Sequence, residues 1–171
     1  MQIDLKPQPN AIQRWQELLA DPELARLPHR VETDRLGRII LNDLPTVGHS
    51  RRATDIMLLL AKLLPAGQTL LICPLSTADG VKAIDVAWIS PEYANELESK
   101  DPPVLERAPE ICVEVLSPSN SDDEITEKRA LYFEAGAAEV WICGLDGKIA
   151  FYAPGRFLAV SKLCPQFPDH V

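Results

Sequence analysis

The chain has 171 residues, 46% of them apolar and 25% charged, and a formal net charge of −8. That length suits one domain with a real core, since about two thirds of the unfolded surface leaves water at this size. The acidity excludes a nonspecific nucleic-acid coat, because a uniformly negative surface repels phosphate.

The first residues, Met1–Lys6, lack the apolar core of a signal peptide. Residues 1–29 read as a helical arm. Asn10 caps a helix to about Ala20 that places Ile12, Trp15, Leu18 and Leu19 on one face, and Pro22 opens a short turn. The main domain is expected over residues 30–171. It starts with a hairpin: Arg30–Glu32, a turn at Asp34–Gly37, then Arg38–Leu41. A helix follows over His49–Leu64, ended by Pro65-Ala66-Gly67. Its apolar stretch at 56–64 contains Lys62 and is too short and too polar to span a bilayer. Strands are expected at Thr69–Cys73 and Lys82–Ile89, then a loop of about twenty residues from Ser90 to Pro109, a length that marks function or mobility. Ile111–Leu116 reads as a third strand. Ser117–Ser121 form a turn and cap, and Asp122, Asp123 and Glu124 occupy the first turn of a helix that stops at Gly136. Glu139–Cys143 and Lys148–Tyr152 pair around Asp146-Gly147. The tail beyond Pro154 reads as irregular.

Strands in a run between two helices predict a mixed-sheet α/β (α+β) layer fold. Cys73, Cys112, Cys143 and Cys164 stand apart with no CxxC pair, which predicts free thiols and a reducing, cytoplasmic setting. A glycine-rich phosphate loop, GxSxG and HExxH are all absent from the sequence.

Three charges sit where the pattern is apolar. Asp85 interrupts Ala-Ile-Asp-Val-Ala-Trp-Ile, and Glu114 interrupts Ile-Cys-Val-Glu-Val-Leu. A carboxylate buried in such a strand costs several kcal/mol unless it is paired or binds a cation. Alternation puts Cys112, Glu114 and Leu116 on one sheet face, and neighbouring strands would project both carboxylates from it. Lys128 falls among Ile125, Leu131, Tyr132 and Ala135 on the helical stripe that should face the sheet. Two carboxylates suit a hard cation, Mg²⁺ or Mn²⁺, and the lysine can orient a water or offset charge developing on phosphorus. A buried structural ion pair, Glu114 with Lys128, is the competing reading.

The element order, with Asp on the second strand and Glu on the third, resembles the PD-(D/E)XK nuclease superfamily. Its motif proline is absent at Ile84-Asp85, and its motif lysine is replaced by leucine in Glu114-Val115-Leu116. The run Glu114-Val-Leu-Ser-Pro-Ser119, Lys128, Leu131-Tyr132, Ala135-Gly136 and Glu139-Val-Trp-Ile142 is similar to one bacterial branch of restriction-endonuclease-like proteins, of unknown physiological role, in which the lysine has moved to the following helix. The resemblance covers about residues 30–152. It implies a restriction-endonuclease-like α-β-β-β-α-β core and a Mg²⁺- or Mn²⁺-dependent nuclease acting on DNA. Asp85 and Glu114 would be its metal ligands, and Asp85, Glu114 and Lys128 its catalytic residues.

Glu32 is a candidate third acidic member. His49 is a candidate accessory residue at the site mouth, or else a cap or surface residue. The charge is also uneven. Residues 92–127 carry eleven acidic and two basic side chains, whereas 26–52 carry six arginines against Glu32, Asp34 and Asp43. The basic edge, with Arg30, Arg35, Arg38, Arg51 and Arg52, is the expected phosphate-facing side, and Arg38, Arg51 and Arg52 are candidate phosphate contacts. A homodimer is expected, as is the absence of a membrane partner. A nuclease-like binding or regulatory module without turnover, and a structural dimerisation domain, remain the alternatives.

Overall fold

The computed structural model describes residues 11–27 and 30–171. Helix α1 spans Ala11–Leu19, and its expected cap, Asn10, lies outside the described residues. A hairpin of β1 (Arg30–Thr33) and β2 (Ile39–Asn42) follows, then α2 (Val47–Leu63). The main sheet runs β3 (Gln68–Thr77), β4 (Gly80–Ile89), β5 (Ile111–Val115), β6 (Glu139–Cys143), β7 (Ile149–Ala153) and β8 (Arg156–Leu158), in that spatial order. Helix α3 (Pro91–Lys100) joins β4 to β5, and α4 (Asp122–Glu134) joins β5 to β6. Among the named strands of the main sheet, β5 and β6 pair in parallel, as a strand–helix–strand crossover requires; the other pairs are antiparallel.

The helices start on side-chain caps. Thr46, Ser90 and Ser121 accept from the N–H groups of His49, Tyr93 and Glu124, each satisfying a donor the helix start leaves orphaned. One sheet face packs on α2, where Ile56 and Leu60 meet Val86, Val113, Trp141 and Phe151. The other packs on α3 and α4, where Ile84, Ala87, Cys112 and Val140 meet Tyr93, Ile125 and Tyr132. A smaller cluster seats Trp15 and Leu18 of α1 on Val81 and Val104. Among the described residues, no helix is long and apolar enough to cross a membrane.

Two expectations need correction. The stretch expected as a long loop contains α3. Pro91 is a helix-starting residue at the first turn rather than a breaker, and the short apolar set Tyr93, Ala94 and Leu97 gave too weak a period to outweigh the prolines. The tail is not wholly irregular either, because Gly155 (φ +72) turns the chain back into β8. Beyond β8 the tail is held by Cys164 and Phe167 in the core, by backbone bonds of residues 169–171 to the β6–β7 turn and, at residues 161–163, by one buried carboxylate. Glu139 accepts from Trp141 Nε1 at 2.8 Å, Ser161 Oγ at 2.7 Å, Lys162 N at 2.7 Å and Leu163 N at 3.0 Å.

Glu139→Ala strands those donors and is expected to cost more than about 2 kcal/mol in urea denaturation. Limited proteolysis should then cut first near residues 159–163. An unchanged unfolding midpoint would contradict this reading of Glu139.

Candidate active site

The site lies where β4 and β5 separate. The two strands pair only from Val86↔Val113 to Trp88↔Ile111. Beyond that point side chains take the place of the missing ladder partner. Val115 N–H donates to Asp85 Oδ2 at 2.8 Å, Ala83 N–H to Glu32 Oε1 at 3.0 Å, and Val81 N–H to Thr33 Oγ1 at 2.8 Å. The β1–β2 hairpin therefore caps the free edge of β4. Gly80 (φ +81) permits that approach, since a Cβ there would collide with the carbonyl oxygens of Thr33 and Asp34.

Continuing the β4–β5 register sets Asp85 opposite Glu114, so both carboxylates project from one face. The β3–β4 ladder also skips Asp85: Leu71 pairs with Val86 and Cys73 with Ile84, while Ile72 between them holds a left-handed φ of 49°. A β-branched residue in that region is strained, and the kink lies directly across from the carboxylate.

Asp85, Glu114 and Lys128 line one cleft. Lys128 Nζ lies 3.4 Å from Glu114 Oε2 and 3.0 Å from Glu32 Oε1. Asp85 Oδ2 lies 3.1 Å from His49 Nε2, and Asp85 Oδ1 accepts from Arg30 Nη1. Tyr132 O–H donates to Glu114 Oε1 at 2.7 Å. Glu32, Asp85, Glu114, Lys128 and His49 are all buried, yet a cleft of about 260 Å³ reaches Asp85, Glu114, His49 and Lys128. The Ser117–Asn120 turn and Asp43–Thr46 form its rim.

His49 is thus neither a surface residue nor a side-chain cap; its ring is turned inward onto Asp85. Of the arginines, Arg30 reaches the cleft. Arg38 is exposed and paired with Asp34 at 2.6 Å, Arg51 is exposed, and Arg52 donates to the Leu145 carbonyl; none of the three lines the cleft. Tyr132 went unread as a site residue, although its place four residues after Lys128 on the same stripe puts the two side by side.

Electrostatics set the protonation states. Burial alone would raise the Asp85 carboxyl, but the His49 hydrogen bond, the Arg30 charge and the Val115 N–H hold it below the ordinary carboxylate range. Burial pushes the Glu114 carboxyl up to about 7; Lys128 and Tyr132 oppose the rise, and Asp85 and Glu32 add to it. Burial would lower the Lys128 ammonium, but Glu114 and Glu32 raise it above its usual value, so it stays charged. Three carboxyl groups here face two fixed cations, Lys128 and Arg30, and the negative charge exceeds the positive in full only once Glu114 has lost its proton, above about pH 7.

That surplus of negative charge, on hard oxygen donors, fits a divalent cation bound through Asp85 and Glu114. Among the described residues, no cluster of three or more His, Cys, Asp or Glu side chains is arranged to hold an ion. Two protein carboxylates with the rest of the shell left to water or substrate is the arrangement Mg²⁺ commonly takes.

A mixed sheet that forks around an Asp–Glu pair, with a lysine delivered from the next helix, defines a restriction-endonuclease-like protein. A family model described as "Putative restriction endonuclease" (Uma2) matches residues 15–154, and the chain belongs to that family. Its fold is similar to the crystal structure of a "putative nuclease belonging to DUF820" from Anabaena variabilis, with a TM-score of 0.69 at 17% identity, over 87% of this chain and 92% of that one. A search of curated proteins finds no match.

Replacing Lys128 by methionine removes the counter-charge that Glu32 and Glu114 share. We expect a loss of about 3–5 kcal/mol in denaturant unfolding at neutral pH. A loss below about 1 kcal/mol would mean that the pair contributes little to the fold.

Proposed function

We propose that this protein is a Mg²⁺- or Mn²⁺-dependent nuclease that hydrolyses phosphodiester bonds of DNA. The observation that carries this reading is the convergence of Asp85, Glu114 and Lys128 on the floor of an open cleft. A buried ion pair alone needs no second carboxylate and no cleft, and three buried acids against two bases is a costly way to build a core.

A bound cation would supply Lewis-acid polarisation of a phosphate oxygen and an acidified water. The protein's own residues do the rest. His49 and the Val115 N–H fix the orientation of Asp85, and Tyr132 O–H fixes Glu114. Lys128 retains its proton and acts by charge, offsetting the negative charge that builds on the phosphoryl oxygens rather than serving as a base. Arg30, the one arginine that lines the cleft, adds a second positive charge near a docked phosphate.

A second reading, nucleic-acid binding without turnover, has one observation in its favour. Each oxygen of Asp85 and Glu114 accepts from the protein itself. Calorimetry separates the two readings: folded protein that takes up no Mn²⁺ favours the second.

The direct test is cleavage of double- and single-stranded DNA with each metal. Wild type is expected to cut, chelator to stop it, and Glu114→Gln to lower the rate by on the order of 100-fold or more with the circular dichroism spectrum kept. Wild type that cuts neither DNA nor RNA with either metal would overturn the hydrolytic reading.

A further inference from the structure

A second groove, of about 390 Å³, lies between α4 and the β7–β8 hairpin. Thr126, Arg129, Ala130 and Phe133 line it at the spacing of one helical stripe. At 100° per residue that stripe is on the opposite side of α4 from Glu124 and Lys128, which line the cleft. Tyr152, Arg156 and Phe157 form the other wall.

Three observations set this groove apart in a chain of net charge −8. First, no carboxylate lines it, while two arginines do. Second, neither Arg129 nor Arg156 forms an ion pair with any carboxylate among the described residues. Third, one aromatic ring of the groove, Phe157, is open, while Phe133 and Tyr152 are partly buried against the core. Phe157 is 64% exposed, its ring meets Tyr152 edge-on at 5.7 Å, and the Arg129 guanidinium carbon sits over the Tyr152 ring, 4.1 Å from its centroid.

A guanidinium stacked on an aromatic face is pre-oriented, so less freedom is lost when its fork meets a phosphate. A bare phenyl ring beside it offers a stacking platform for a base, and alternating aromatic and cationic side chains are the general means by which single strands are held without sequence preference. An apolar partner would leave both arginines unmatched, and a duplex would hide its base faces from Phe157.

We propose that this groove binds a single-stranded nucleic-acid segment, with an unpaired base stacked on Phe157 and the adjoining phosphates on Arg129 and Arg156. The proposal rests on the nuclease reading for its choice of ligand, and it gives that reading a substrate feature: an unpaired strand gripped across α4 from Lys128. Because α4 carries Arg129 on one flank and Lys128 on the other, strand binding and cleft geometry share one rigid element.

The test is fluorescence anisotropy with a labelled oligothymidylate of about 12 nucleotides, in low salt with chelator so that nothing is cut. Phe157→Ala should weaken binding roughly tenfold. The Arg129→Gln/Arg156→Gln pair should flatten the slope of log affinity against log salt by about 1.4, two phosphate contacts on a single strand. Unchanged melting temperatures check the fold, and the exposed Arg156→Gln alone serves if the pair fails to fold. Variants that bind as wild type does overturn the groove whether or not the protein cuts DNA. Wild type that binds through the groove but cuts nothing leaves it standing and removes the hydrolytic reading. If Phe157→Ala changes the sedimentation of the protein without changing strand affinity, the groove is a contact between copies of the chain and the proposal is wrong.

Discussion

The structure is organised around a surplus of buried negative charge. Glu32, Asp85 and Glu114 come from three different strands, and Lys128 and Arg30 answer them from a helix and a strand end. Each carboxylate also does a backbone's or side chain's hydrogen bonding. Glu32 satisfies the free edge of β4, Asp85 accepts the Val115 N–H as β5 diverges, and Glu114 holds the Tyr132 hydroxyl. The fork in the sheet and the charge cluster therefore depend on one another. Without the side chains, the open edge of β4 would leave buried N–H groups unpaired, at a cost of about 1–3 kcal/mol each; without the fork, there is no room for three carboxylates.

Helix α4 links this cluster to the rest of the molecule. Its buried stripe of Ile125, Lys128, Leu131 and Tyr132 serves packing and charge together. Ile125 and Tyr132 belong to the same apolar cluster as Cys112 and Val140 of the sheet, so the lysine's position is set by ordinary hydrophobic burial. The Tyr132 hydroxyl, in turn, needs a partner at that depth and finds Glu114. A site placed by packing in this way is rigid, and the charges on it are preorganised rather than recruited on binding.

Much of this could be read from the sequence, for a physical reason. Asp85, Glu114 and Lys128 interrupt patterns whose period is otherwise clean, and a charge in an apolar stripe is a signal that survives without any structure. The residues that answer them were harder to find. Arg30 and His49 sit near element starts, where polar residues are common, and only the approach of the hairpin and α2 to β4 turns them inward. Arg38, Arg51 and Arg52 have the same local character as Arg30, and strand and helix geometry alone separates them from it. Helix α3 was lost among prolines and acids because its stability comes from a cap and three packed side chains rather than from a long apolar period. Glu139 was legible as part of a strand but not as an anchor, since three of its four donors come from more than twenty residues away.

The proposed role of the buried negative charge is to hold a cation between Asp85 and Glu114. Anomalous diffraction from crystals soaked in Mn²⁺ tests it most directly. One strong peak is expected within coordination distance of both carboxylates, with Lys128 remaining beside Glu114. Crystals that show no peak there, with Arg30 and His49 still on Asp85, would contradict it and leave the cluster a structural ion network.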